Sequence, residues 1–108
     1  MVIEMDINLD EFLETEHITK AYEVVGEWEF VIENCPERLK IKVVKRPDGK
    51  FIGIANFLIQ EPGRSNPYLS HQIKDSVHDA LKESIAGFLA NWNPSLANQI
   101  KLFPYEGY

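Results

Sequence analysis

Residues 22–46, YEVVGEWEFVIENCPERLKIKVVKR, contain two runs in which apolar and charged residues alternate. In the first run one set of alternate positions is apolar: Tyr22, Val24, Trp28, Phe30 and Ile32. The positions between them include Glu23, Glu27, Glu29 and Glu33. In the second run the apolar set is Leu39, Ile41 and Val43, and the opposite face carries Lys40, Lys42 and Arg46. Because successive side chains of a strand point to opposite faces, each run predicts a strand with one buried face.

The outer faces of these two predicted strands carry complementary charge. In an antiparallel pair, the glutamates of the first strand can lie opposite the lysines of the second, and each such pair contributes about 0.2–1 kcal/mol. The basic residues between Arg38 and Lys50 are therefore expected to pair within the sheet. Nucleic acid is not favoured as a partner, because its binders typically show an unopposed basic surface with stacking aromatic residues.

A third strand is predicted at residues 51–60, after a turn in which Pro47 fixes φ and Gly49 accepts a positive φ. Its two faces are both apolar: Ile52, Ile54 and Leu58 lie on one side, and Phe51, Phe57 and Ile59 lie on the other. Such continuous apolar character is typical of a strand that is covered on both faces. A helix can provide one cover. The other must be the N-terminal arm, the C-terminal segment, a partner or a second copy of the chain, so Phe51, Phe57 and Ile59 are candidate interaction residues.

One long amphipathic helix is predicted over residues 70–92. Its apolar stripe recurs at intervals of three and four residues: Ile73, Val77, Ala80, Leu81, Ile85, Phe88 and Trp92. Ser70 is a suitable N-cap, and Pro94 stops the helix because proline lacks a backbone donor. The predicted fold class is therefore a two-layer α+β domain, with a three-stranded antiparallel β-meander packed against one long amphipathic C-terminal helix.

The chain of 108 residues has the length of one domain. Within this single domain (residues 1–108), we expect an acidic arm or short helix in residues 1–20, the three strands in 21–60, and a C-terminal segment in 93–108. No apolar run approaches the roughly 20 residues that cross a bilayer. The single cysteine, Cys35, suits a reducing compartment. A cytoplasmic protein without a membrane partner is expected.

The net charge of -6 comes from the N-terminal segment. Residues 1–16 contain no lysine or arginine, and their acidic residues are Glu4, Asp6, Asp10, Glu11, Glu14 and Glu16. An arm of this kind repels phosphates and attracts a basic protein surface. Asp10, Glu11 and Glu14 are therefore further candidate interaction residues.

Three residues of the predicted helix, His71, Asp75 and His78, follow one another at steps of four and three. On a helix this spacing brings two imidazoles and a carboxylate to one side, as a divalent metal requires. Lys82 continues the same side and would place an ammonium beside the ion. The sequence therefore favours a solvated helix face, and we expect no metal or other cofactor.

The loop before the predicted helix is a second candidate site. It contains Arg64, Asn66 and Tyr68, and it leads into what we expect to be the helix N-terminus. Backbone N–H groups at a helix N-terminus bind anions, and the Arg64 guanidinium would add positive charge. The loop has only Gly63, however, and lacks the glycine density of a phosphate-binding loop.

The sequence contains no recognisable catalytic motif, so enzymatic activity stays open but is not favoured. The main hypothesis is a small non-enzymatic protein-interaction or regulatory module that self-associates, with a homodimer or another protein as partner. The alternative is a small-ligand or anion-binding domain that uses the loop before the long helix. A third hypothesis, which depends on the acidic arm alone, is an acidic decoy that occupies a nucleic-acid-binding protein.

Overall fold

Two antiparallel sheets and one main helix form the described part of the chain, residues 9–108 of a computed structural model. In chain order the elements are α1 (Asp10–Leu13), β1 (Glu23–Phe30), β2 (Leu39–Lys45), β3 (Phe51–Ala55), β4 (Phe57–Gln60), β5 (Ile73–Lys74), α2 (Val77–Ala90), a 3₁₀ helix (Pro94–Gln99) and β6 (Lys101–Pro104). The predicted α+β class, with an antiparallel meander and one main helix, is confirmed. Within residues 1–20, where an acidic arm or short helix is expected, the described part contains the single helical turn α1.

The larger sheet has the strand order β1-β2-β3-β5, and β4 pairs with β6 in a second sheet. The predicted third strand therefore belongs to two sheets, and Asn56 is the point of change. Its side chain accepts a hydrogen bond from the Lys40 N–H (2.9 Å) and donates one to the Arg38 carbonyl (3.2 Å). Its own carbonyl then accepts from the Tyr105 N–H (2.8 Å), next to the β4–β6 pair. Asn56 thus ends the β2–β3 ladder and directs the chain into the second sheet.

A β-bulge interrupts the alternation of β1. Val24 lies opposite Val44 and Gly26 lies opposite Val43, so Val25 is an extra residue. Residues directly opposite each other in an antiparallel pair share a face, and a bulge shifts that register by one. Val24 consequently lies on the same face as Glu27, not on the face of Trp28 as strict alternation predicts.

Helix α2 begins at Val77, later than the predicted start at Ser70. Ile73 and Lys74 instead pair with β3 as the short strand β5, and Ser76, the residue before the helix, has an extended backbone (φ −139°, ψ 157°). The Ser76 hydroxyl accepts a hydrogen bond from the Asp79 N–H at 3.0 Å and so caps the helix. The helix ends at Ala90, and the Trp92 indole N–H beyond it donates to the Glu33 carbonyl at 2.9 Å.

The helix packs on β3 and β2 through a contact that only glycine permits. A Cβ atom at Gly53 would lie 2.1 Å from the Ser84 hydroxyl oxygen and 2.6 Å from the Ala80 carbonyl oxygen. The core beside this contact contains Leu39, Ile41, Ile59, Phe88 and Trp92. The absent side chain at Gly53 thus lets the helix approach the sheet closely enough to close the core.

Replacement of Gly53 by alanine is expected to lower the free energy of unfolding by about 1–3 kcal/mol, because the new methyl group overpacks the helix–sheet contact. Chemical denaturation followed by tryptophan fluorescence measures this loss. In a Ser84→Ala background the loss should shrink without disappearing, because the Ala80 carbonyl still opposes the methyl group. A Gly53→Ala variant within about 0.5 kcal/mol of the parent would contradict the proposed contact.

Candidate functional site

β1 is the least covered strand of the larger sheet. It lies at the edge of the strand order, and β2 is its only partner strand among residues 9–108. Its apolar side chains stay accessible, with Val24 55%, Val25 38% and Trp28 36% exposed. In contrast, four of the seven residues of β2 are buried. A long edge strand with exposed apolar side chains is a template for pairing with another chain.

The elements that cover the sheet lie over its other strands. On one face α2 packs against β3 and β2. On the other face the last residue of the chain lies over β2: the Lys42 ammonium donates to the Tyr108 carbonyl and sits 4.8 Å from the centre of its ring. Burial, together with the adjacent Glu27 carboxylate, raises the pKa of the Tyr108 hydroxyl. Tyr108 therefore lies over β2 and beside Glu27 of β1, and it does not cover the outer edge of β1.

The register places the glutamates of β1 opposite lysines of β2 as predicted, and ion pairs form at Glu29. Glu23, Glu27 and Glu29 lie opposite Lys45, Lys42 and Lys40, respectively. The Glu29 carboxylate lies 3.2 Å from the Arg38 guanidinium and 3.6 Å from the Lys40 ammonium. All three glutamates are exposed, and β1 contains no basic residue. The edge strand therefore presents acidic side chains as well as apolar ones.

The predicted apolar interaction residues do not form one exposed surface. Ile59 is only 1% exposed and belongs to the core, whereas Phe51 and Phe57 are half-buried. The difference follows from the change of sheet at Asn56, which turns β4 so that Ile59 packs beside Phe88 and Trp92.

The acidic interaction residues Asp10, Glu11 and Glu14 are exposed, on α1 and directly after it. Glu4 and Asp6, which belong to the predicted acidic arm, lie outside the described residues. Any attraction between this arm and a basic surface stays a prediction.

The predicted ligand residues Arg64, Asn66 and Tyr68 do lie together, around a shallow depression that Asn91 also lines. The Arg64 guanidinium is 4.0 Å from the Glu61 carboxylate. Because β5 separates this loop from the start of α2, Arg64 and Asn66 do not lead directly into the helix N-terminus. The N–H groups at the start of α2 therefore do not directly follow this loop, as the predicted anion site required.

The structure separates the three predicted metal-ligand candidates. The His71 ring contacts the Tyr105 ring at 5.5 Å, the Asp75 carboxylate lies 2.7 Å from the Lys50 ammonium, and His78 lies beside Asp79. The hydrogen bond and charge of Lys50 lower the pKa of Asp75. Residues 9–108 contain no group of three side chains that could hold a metal ion. A shared site would need all three residues on one helix, but α2 begins at Val77, after His71 and Asp75.

Comparison of the chain with protein-family models, curated protein sequences and solved structures finds no match. Within the described residues, no helix has both the length and the apolar character that a membrane span requires.

His71 makes the stability of this region depend on pH. Burial lowers the pKa of its imidazole below the ordinary value of 6.5, and the Glu83 charge opposes this shift only in part. The unfolded chain therefore binds a proton at higher pH than the folded protein, so the free energy of unfolding should fall as pH falls below 6.5. Denaturation across this range should show a smaller fall for His71→Gln than for the parent. An NMR titration that places the pKa of His71 at or above 6.5 would contradict the assignment.

Proposed function

We propose that this protein is a non-enzymatic protein-interaction module that binds an extended segment of a partner at the outer edge of β1. The observation that carries the proposal is the exposure of this eight-residue edge strand. An added strand would satisfy its outward N–H and C=O groups and would cover apolar side chains on both of its faces. Such strand addition is a recurrent mode of peptide recognition.

The charges of β1 favour a particular partner. On the face away from α2, an added strand would place its side chains beside Glu27 and Glu29. Opposite charges at such cross-strand positions stabilise the pair, and like charges destabilise it. The partner segment should therefore carry lysine or arginine at alternate positions. The net charge of -6 would also speed its approach at low salt.

The other face of β1 favours apolar residues between those basic ones. Trp28 and Phe30 lie on the face that α2 covers further along the sheet, opposite Ile41 and Leu39. An apolar side chain added beside Trp28 would bury surface that is now exposed. The inner neighbour of β1 already has this alternation, since β2 has the sequence LKIKVVK.

Self-association, which the sequence also suggests, is less favourable at this edge. Antiparallel pairing of two copies centred on Trp28 would set Glu27 of one copy opposite Glu29 of the other. The same acidic residues that attract a basic segment would then repel each other. We therefore propose a different protein as the partner at β1, and light scattering distinguishes it from a second copy.

A synthetic peptide with the β2 sequence, LKIKVVK, is a direct probe of this edge. It should bind the monomeric protein, protect β1 amides from hydrogen exchange, and bind more weakly as salt screens the charges. The double variant Glu27→Gln/Glu29→Gln should weaken binding about two- to thirtyfold, the effect of removing two cross-strand charge pairs. Isothermal titration calorimetry measures the change.

The acidic arm provides the matched control. Glu11→Gln/Glu14→Gln removes the same charge from exposed positions on and directly after α1, outside β1, and its peptide affinity should stay within about twofold of the parent. A larger loss in this variant than in the β1 variant would place the interaction on the arm. Equal binding of a peptide with glutamate in place of each lysine, or a stable dimer with β1 protected in the free protein, would also contradict the proposal.

A further inference from the structure

A cavity lies beside α2 and is lined by residues of the helix and by residues 68–70 of the preceding loop. Its walls include the aromatic rings of Phe57, Tyr68 and Phe88, and its polar lining includes Ser70, Glu83 and Ser84. The Tyr68 ring holds this wall in place, because it lies against Gly87, where a Cβ atom would be 2.5 Å from the Tyr68 hydroxyl. The cavity volume is about 20 Å³, which accommodates one water-sized group.

Two residues that line this cavity each carry a buried oxygen atom without a hydrogen-bond partner. One carboxylate oxygen of Glu83, Oε1, accepts from the Ser70 hydroxyl at 3.0 Å, but Oε2 has no partner. The hydroxyl oxygen of Ser84, a residue only 9% exposed, has none either. A buried carboxylate oxygen that accepts no hydrogen bond destabilises the folded protein by the full desolvation free energy of that atom. Both oxygens can accept a hydrogen bond, so the cavity is suited to a donor.

The lining selects among possible donors. An anion would be repelled by Glu83. A divalent metal ion bound to one carboxylate would keep several water ligands, and the cavity has room for only one water-sized group. An ammonium group has the size of a water molecule, carries three donors, and is attracted to the faces of aromatic rings. No lysine or arginine in residues 9–108 forms an ion pair with Glu83.

We propose that this cavity binds the ammonium group of a primary amine, with Glu83 and Ser84 as its acceptors and Phe57, Tyr68 and Phe88 around it. The hydrocarbon part of the amine lies against Leu69, an exposed apolar residue of the lining. The site is separate from β1 and does not depend on binding there. Of the loop residues predicted to bind a ligand, Tyr68 lines this cavity, whereas Arg64 and Asn66 line the separate shallow depression.

Titration with n-butylammonium, at constant ionic strength and followed by two-dimensional NMR, tests the proposal. The backbone signals of Tyr68, Glu83 and Ser84 should shift and saturate, with a Kd of about 1 mM for so small a ligand. 1-Butanol, which has the same chain without the charge, should bind at least about tenfold more weakly, and butyrate should not shift these signals. Glu83→Gln should weaken butylammonium binding by about tenfold or more.

Asp79→Asn is the matched control, because it removes one exposed carboxylate from the same helix; its affinity should stay within about twofold of the parent. Ser84→Ala retains the carboxylate and should weaken binding by about threefold or more, which provides a second test if Glu83→Gln unfolds the protein. The proposal is overturned if butanol binds as well as butylammonium, or if neither Glu83→Gln nor Ser84→Ala weakens binding. The absence of a saturable shift would mean that the cavity holds water only, and would overturn it as well.

Discussion

At Gly53 the sheet and helix α2 approach so closely that any side chain would meet the Ser84 hydroxyl and the Ala80 carbonyl. The rest of the structure depends on this contact. With the helix seated on β3, its apolar stripe closes the core over Leu39 and Ile41 of β2 and over Ile59, which the second sheet provides. A single helix of 14 residues covers only part of a four-stranded sheet. Because α2 packs mainly on β3, it does not cover β1 at the opposite edge of the sheet.

The composition of β1 is consistent with that position. Its glutamates lie opposite lysines of β2, and the bulge at Val25 disrupts the regular edge; both features limit indiscriminate pairing. Neither feature covers Trp28 or Val24, which stay exposed on opposite faces. Charged edges of this kind discriminate between partners, because they repel acidic segments and copies of themselves while attracting basic ones. The proposed interaction thus uses the same alternation that holds β1 to β2.

The part of the fold that could be predicted from sequence is the part set by local pattern. Alternation identified β1, β2 and their charge pairing, because period and charge suffice to define a two-stranded pair. The late start of α2 could not be predicted, since Ile73 fits the helical stripe and pairs with β3 only through a long-range contact. The break at Asn56 likewise depends on hydrogen bonds to Arg38 and Lys40, so Ile59 was assigned to a surface it does not reach.

The role proposed for Glu83 could not be predicted from sequence, because an acidic residue on a helix usually faces solvent. The available signal was Ser84, a polar residue within the apolar stripe.

Hydrogen exchange of the isolated protein tests most directly whether β1 is an open edge. In an antiparallel edge strand, alternate N–H groups point to the neighbouring strand and the others point outward. We expect the amides of β2 and β3 to be protected, whereas between Gly26 and Phe30 protected and fast-exchanging amides should alternate. Uniform protection across β1 in the free monomer or in a dimer would mean that its outer edge is already paired, and would contradict an open binding edge.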